Sequence, residues 1–138
     1  MNRTAILQVI SRKLAPFVIL FGFYVVSFGH LTPGGGFQGG VVIASGVIML
    51  LLGQEPERLD GLVSVRLFGL MEALSLLVFL VAGVAGIVVG GEFLQVLLPT
   101  GTAGSITDAG FIFILNVVIG MKVGAGITVI CYRLFMET

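Results

Sequence analysis

The chain has 138 residues, 57% of them hydrophobic and only 10% charged, with a mean hydropathy of +1.18 and a formal net charge of zero. A soluble domain carries roughly a quarter charged residues, so lipid is the solvent this composition fits; with no net or clustered basic charge, nucleic acid is excluded as a partner. One cysteine and one histidine leave no Cys/His set for a metal or cluster and no intramolecular disulfide, so no cofactor is expected.

Residues 1–13 carry Arg3, Arg12 and Lys13, with Ile6, Val9 and Ile10 at helical spacing, the pattern of a short interfacial helix leading into a span. Residues 14–29 are uncharged and rich in Phe, Val, Ile and Leu, and are predicted to form the first transmembrane helix. A basic flank before an apolar run also describes a signal peptide, but the run lacks a small-residue cleavage signal and further spans follow, so it is expected to be retained.

Residues 30–40 read His-Leu-Thr-Pro-Gly-Gly-Gly-Phe-Gln-Gly-Gly. Five of the 21 glycines, Gly34, Gly35, Gly36, Gly39 and Gly40, fall in seven residues. They allow positive φ and close backbone approach, while Pro33 fixes its own φ and pushes Thr32 towards an extended conformation. The stretch is expected to reverse the chain and to open a helix with a nearly bare flank. Gly34, Gly36 and Gly39 also match the G-x-G-x-x-G dinucleotide pattern, but no strand precedes them and no βαβ unit surrounds them.

A second uncharged helix is predicted over residues 37–53, followed by a polar linker, residues 54–64, with Glu55, Glu57, Arg58 and Asp60. The third helix is predicted over residues 66–90 and contains Glu72. Residues 92–108 form the longest loop, with residues 93–98 apolar enough for the membrane interface. Ser105 and Asp108 resemble a capping box before the fourth helix, predicted over residues 109–132 and containing Asn116 and Lys122. The fold class is therefore all-α, a single polytopic membrane domain of four transmembrane helices. Arg3, Arg12, Lys13, Arg58, Arg66 and Arg133 all fall on the side of the termini, so the positive-inside rule places both termini in the cytoplasm.

Glu72 and Lys122 stand out because an intramembrane charge costs roughly 2.5 kcal/mol or more unless paired or hydrated. Their depths differ by roughly 6 Å at 1.5 Å rise per residue, within a lysine's reach. A structural ion pair, a role in proton or cation transfer, and pairing with another subunit all remain open. Asn116 lies towards a different face and reads as an interhelical hydrogen-bonding group. His30 reads either as a polar residue at the headgroup boundary bonded to the glycine turn or as a proton acceptor near an ion exit. Gly36 with Gly40, Gly86 with Gly90, and Gly120 with Gly124 are small-xxx-small pairs that let helices approach closely. Much of that packing surface is expected to meet other subunits.

The stretch 30–40 resembles the signature of the MnhB/MrpB family, small membrane subunits of the Mrp-type multisubunit sodium/proton antiporter, whose counterparts occur in membrane-bound hydrogenases and related ferredoxin-dependent complexes. The likeness extends to Glu72-Ala-Leu in the third helix, to residues 116–126 (Asn-Val-Val-Ile-Gly-Met-Lys-Val-Gly-Ala-Gly) in the fourth, and to essentially the whole chain. The resemblance implies a non-catalytic subunit of the cell membrane in a large ion-translocating complex, with other antiporter-module subunits as partners and, in redox-driven versions, hydrogenase or iron–sulfur subunits. Larger subunits akin to those of respiratory complex I carry proton transfer there. The resemblance does not separate a standalone antiporter from the hydrogenase-type assembly. An autonomous homo-oligomeric channel or exporter is the alternative; it needs a polar stripe along one helix, and only Glu72, Asn116 and Lys122 interrupt the apolar runs. A membrane enzyme needs a nucleophile–base pair or a metal set, which a single histidine near one edge does not supply.

Overall fold

The structure, a computed structural model, describes residues 5–31, 33–54, 64–89, 91–94 and 110–137. It contains four helices: α1 (Ala5–Phe28), α2 (Gly36–Leu52), α3 (Val65–Val88) and α4 (Gly110–Glu137). Three are long and apolar enough to cross a membrane; α2, with 17 residues, is apolar but shorter.

The helices form a row in the order α1, α2, α4, α3, because α2 packs against both α1 and α4 while α3 packs chiefly on α4. The close contacts give the directions. Gly22 of α1 meets Ile43, and Ser11 meets Gly53, so α1 and α2 are antiparallel. Gly36 abuts Asn116 and Gly40 abuts Gly120, so α2 and α4 run parallel. The chain's first helix starts, and its last helix ends, at the same end along the helix axes. There Leu51 of α2 and Tyr132 of α4 form a buried cluster with Val47, Val65 and Phe68.

The core is thin. Its buried hydrophobics include Ala15, Ala44 and Ala125, whereas Phe17, Leu20, Leu77 and Val81 stand exposed. Such a pattern suits lipid, where no hydrophobic force draws helices together and small residues permit close backbone packing instead.

Two boundaries differ from the sequence expectation. The segment read as a short interfacial helix leading into the first span forms one helix with it: α1 begins at Ala5, not at residue 14, and runs through Pro16 without a break. Arg12 and Lys13 end the apolar run but not the helix, since both are good helix formers. At the other end of the chain, α4 continues past Tyr132 to Glu137. Helix α3 begins at Val65, where the Ser64 hydroxyl accepts a hydrogen bond from the Leu67 N–H at 3.3 Å and caps the helix. The charged part of the 54–64 linker, the Ser105/Asp108 capping pattern and Gly90 lie outside the described residues. After α3 the chain folds back: the Phe93 ring rests on Gly83, and the Leu94 N–H lies 3.4 Å from the Gly83 carbonyl oxygen.

Candidate functional site

Antiparallel packing of α3 on α4 brings the two intramembrane charges together. Lys122 Nζ donates to Glu72 Oε1 at 3.4 Å, and the two side chains remain 37% and 39% exposed. Gly126, one turn beyond Lys122, makes room for the carboxylate: a Cβ built there would lie 3.2 Å from Glu72 Oε1. The separation exceeds the 2.7–2.9 Å of a strong charge-assisted bond, and an ammonium has three N–H donors, so the pair satisfies itself only in part.

Among the described residues Nζ has no second hydrogen-bond acceptor, and the buried hydroxyls of α3 and α4 are bonded elsewhere. Ser75 donates to the Met71 carbonyl at 2.6 Å, and Thr128 donates to the Gly124 carbonyl at 2.7 Å. Each is bonded one turn back along its own helix, the usual way a hydroxyl is accommodated inside a span. Beside Lys122 lies a groove of about 160 Å³ lined by Ser75, Leu76, Phe79, Val118 and Ile119. A separate cavity of about 260 Å³ is reached by all four helices, with Phe23, Ile43, Phe68 and Met71 among its walls. Ser27 and Thr128 are the hydroxyls on that lining, which includes no ionisable side chain.

The remaining candidates lie elsewhere. Asn116 sits at the α2–α4 seam, six residues before Lys122, and its main-chain carbonyl is what Gly36 packs against. His30 follows α1 in the turn, with both ring nitrogens buried and without a partner among the described residues. Past Pro33, Gly34 and Gly35 have φ of 154° and 138°, where a side chain is strained. Gly35 then serves as the N-cap of α2 without a side-chain bond. Gly39 faces Val26 of α1, and Gly40 faces Gly120 of α4.

The glycine pairs thus give the close approach expected of them, but inside the chain. Gly36 and Gly40 lie against Asn116 and Gly120, and Gly124 faces Gly40, so two of the three small-xxx-small pairs are used within the chain rather than towards other subunits. Sequence reasoning misses the packing role of Gly126 and the Ser64 cap. The signal for the first is its spacing of four from Lys122, which places both on one helix face. Among the described residues no group of three or more His, Cys, Asp or Glu side chains is placed to hold a metal ion.

Residues 6–129 match a family described as a domain related to the MnhB subunit of Na+/H+ antiporter. An uncharacterized protein of Methanocaldococcus jannaschii is 32% identical over 145 residues, covering 97% of this chain and 53% of that protein. The B-type subunit of the Na+/H+ antiporter of Bacillus subtilis is 35% identical over 89 residues, 64% of this chain and 62% of the relative. Among solved structures, a chain of the membrane-bound sulfane sulfur reductase, an archaeal respiratory membrane complex, superposes with a TM-score of 0.75 at 31% identity, covering 97% of this chain and 59% of the other. The chain therefore spans 53–62% of the length of these relatives.

Proposed function

Because the chain belongs to the family of domains related to the MnhB subunit of Na+/H+ antiporters, we propose that it is a non-catalytic membrane subunit of a multisubunit cation (sodium)/proton antiporter module, built into the ion-translocating arm of a membrane-bound respiratory complex. The observation that carries this reading is the likeness to a chain of an archaeal respiratory membrane complex over 97% of the present chain. A standalone antiporter is the second reading, favoured by the 35% identity to a subunit named for that activity.

The chain's contribution is structural on this reading. The α2–α4 seam makes a rigid rib, and the Glu72–Lys122 pair marks where polar chemistry enters the apolar layer, either as a brace or as a lining group on a cation route. His30 and Asn116 stand nearer the opposite end and are the next candidates for that route. The partners are other antiporter-module subunits, joined by hydrogenase or iron–sulfur subunits where the complex is redox-driven, and the location is the cell membrane.

Purification through a C-terminal tag in mild detergent, followed by mass spectrometry, tests the reading. Iron–sulfur or hydrogenase-like subunits alongside antiporter subunits are expected. Antiporter subunits alone select the standalone form, and an intact chain arriving with no partner sinks both. Orientation has its own expected result: a protease should remove the tag in inside-out vesicles and spare it in right-side-out ones, as the basic residues at that end require.

A further inference from the structure

We propose that the face of α3 and α4 around Glu72 and Lys122 docks a membrane helix of another subunit, and that this helix brings a neutral hydrogen-bond acceptor, an amide or a hydroxyl, to Lys122. The inference rests on the chain being a subunit of a membrane complex and adds which face is covered and by what chemistry.

Depth comes first. Lys122 lies 12 residues into α4, a helix of 28 residues, or about 18 Å along an axis of about 42 Å. Hydrocarbon offers no hydrogen-bond partners at such depth. Lysine can escape by extending to the headgroups, but here its Nζ is turned to Glu72, seven residues inside α3 and so about 10 Å from that helix's start. The pair is held inside the layer, yet more than a third of each side chain faces out of the chain.

Valence comes next. Nζ spends one long contact on Glu72. Among the described residues its other donors have no acceptor; Ser75 and Thr128 donate to their own helices, and neither hydroxyl oxygen is hydrogen-bonded to Nζ. Glu72 and Lys122 cancel in charge, so a carboxylate from outside would leave a net negative site in a low dielectric, whereas a neutral acceptor keeps the balance. The groove of about 160 Å³ next to Lys122 takes an apolar side chain of the same helix. On the opposite side of α3, Leu70, Leu77 and Val81 present only hydrocarbon, which lipid covers without cost.

The test uses the assembled complex. A photoreactive benzoylphenylalanine at Leu76, an exposed residue on the groove, is irradiated in native membranes and the adduct is sequenced. A covalent product with one co-purifying membrane subunit is expected, with an Asn, Gln, Ser or Thr within one helical turn of the joined residue. Changing that residue to leucine should lower the adduct yield about tenfold, as should Lys122→Met. An adduct with lipid alone from a complex that still purifies intact overturns the docking. A protein adduct in a wholly apolar stretch, unaffected by Lys122→Met, overturns the proposed chemistry. Absence of any co-purifying subunit is read before irradiation and overturns the parent reading with it.

Discussion

Replacing Gly40 with leucine is expected to remove the folded chain from the membrane almost completely. A Cβ at this position would lie 2.6 Å from the Gly120 carbonyl oxygen and 3.0 Å from Val123 Cβ. The first of these is backbone, which cannot rotate aside. Overpacking a tight core costs about 1–3 kcal/mol even where side chains can move, and leucine adds three carbons beyond that first clash. Gly36 faces the same helix one turn earlier, against the Asn116 carbonyl, so the seam cannot pivot to relieve the strain. Fluorescence size-exclusion of a tagged chain should show less than about a tenth of the wild-type peak, a ratio that about 1.4 kcal/mol already produces. Gly69→Leu is the matched control. It lies in the α3 segment with nothing within 4 Å of a built Cβ, and its peak should remain. Equal loss in both variants would mean that the seam does not govern stability.

The second large effect is expected at the ion pair. Glu72→Leu or Lys122→Met alone leaves one charge in the layer without its counter-charge, which costs about 2.5 kcal/mol or more at full insertion. Each single change should cut the recovered complex several-fold. The double change removes both charges and should recover most of the assembly, since an ion pair replaced by apolar residues is often neutral or stabilising. Vesicle assays then separate the two roles. Normal assembly with normal cation/proton exchange in the double variant makes the pair a brace. Normal assembly with exchange abolished makes it part of the cation route. A double variant worse than either single would show that the groups act independently rather than as a pair.

The four helices were legible because each long apolar run has only one stable conformation in lipid, the one that satisfies its own backbone. Glu72 and Lys122 were legible as neighbours because depth along two antiparallel helices follows from residue counts, and the structure brings them to 3.4 Å. The α2–α4 seam was only half legible. Glycine spacing announces a close approach but carries no address, and Gly36–Gly40 fits a helix of another protein as well as it fits Asn116 and Gly120. Parallel contact between the second and fourth helices depends on the order of the row, which no local pattern encodes. The start of α1 was misplaced for a different reason. The end of hydrophobicity at Arg12 and Lys13 marks a change of solvent, and helical hydrogen bonding continues through it. The Ser64 cap was present in the sequence but sat among other polar linker residues, where a hydroxyl attracts no notice.

The shortness of α2 bears on the shape of the membrane surface at the glycine turn. Seventeen residues reach about 26 Å, less than the roughly 30 Å of hydrocarbon in an average bilayer. Because Gly36 sits level with Asn116, and α4 starts six residues earlier at Gly110, the turn is sunk about 9 Å below the rim of its neighbour. Irregular backbone at such a level is tolerated only against protein or water. A bilayer that thins towards the turn, or a companion that fills the notch, would meet that condition. With a dip, His30 lies at the floor of a dimple; with a companion, it lies against protein.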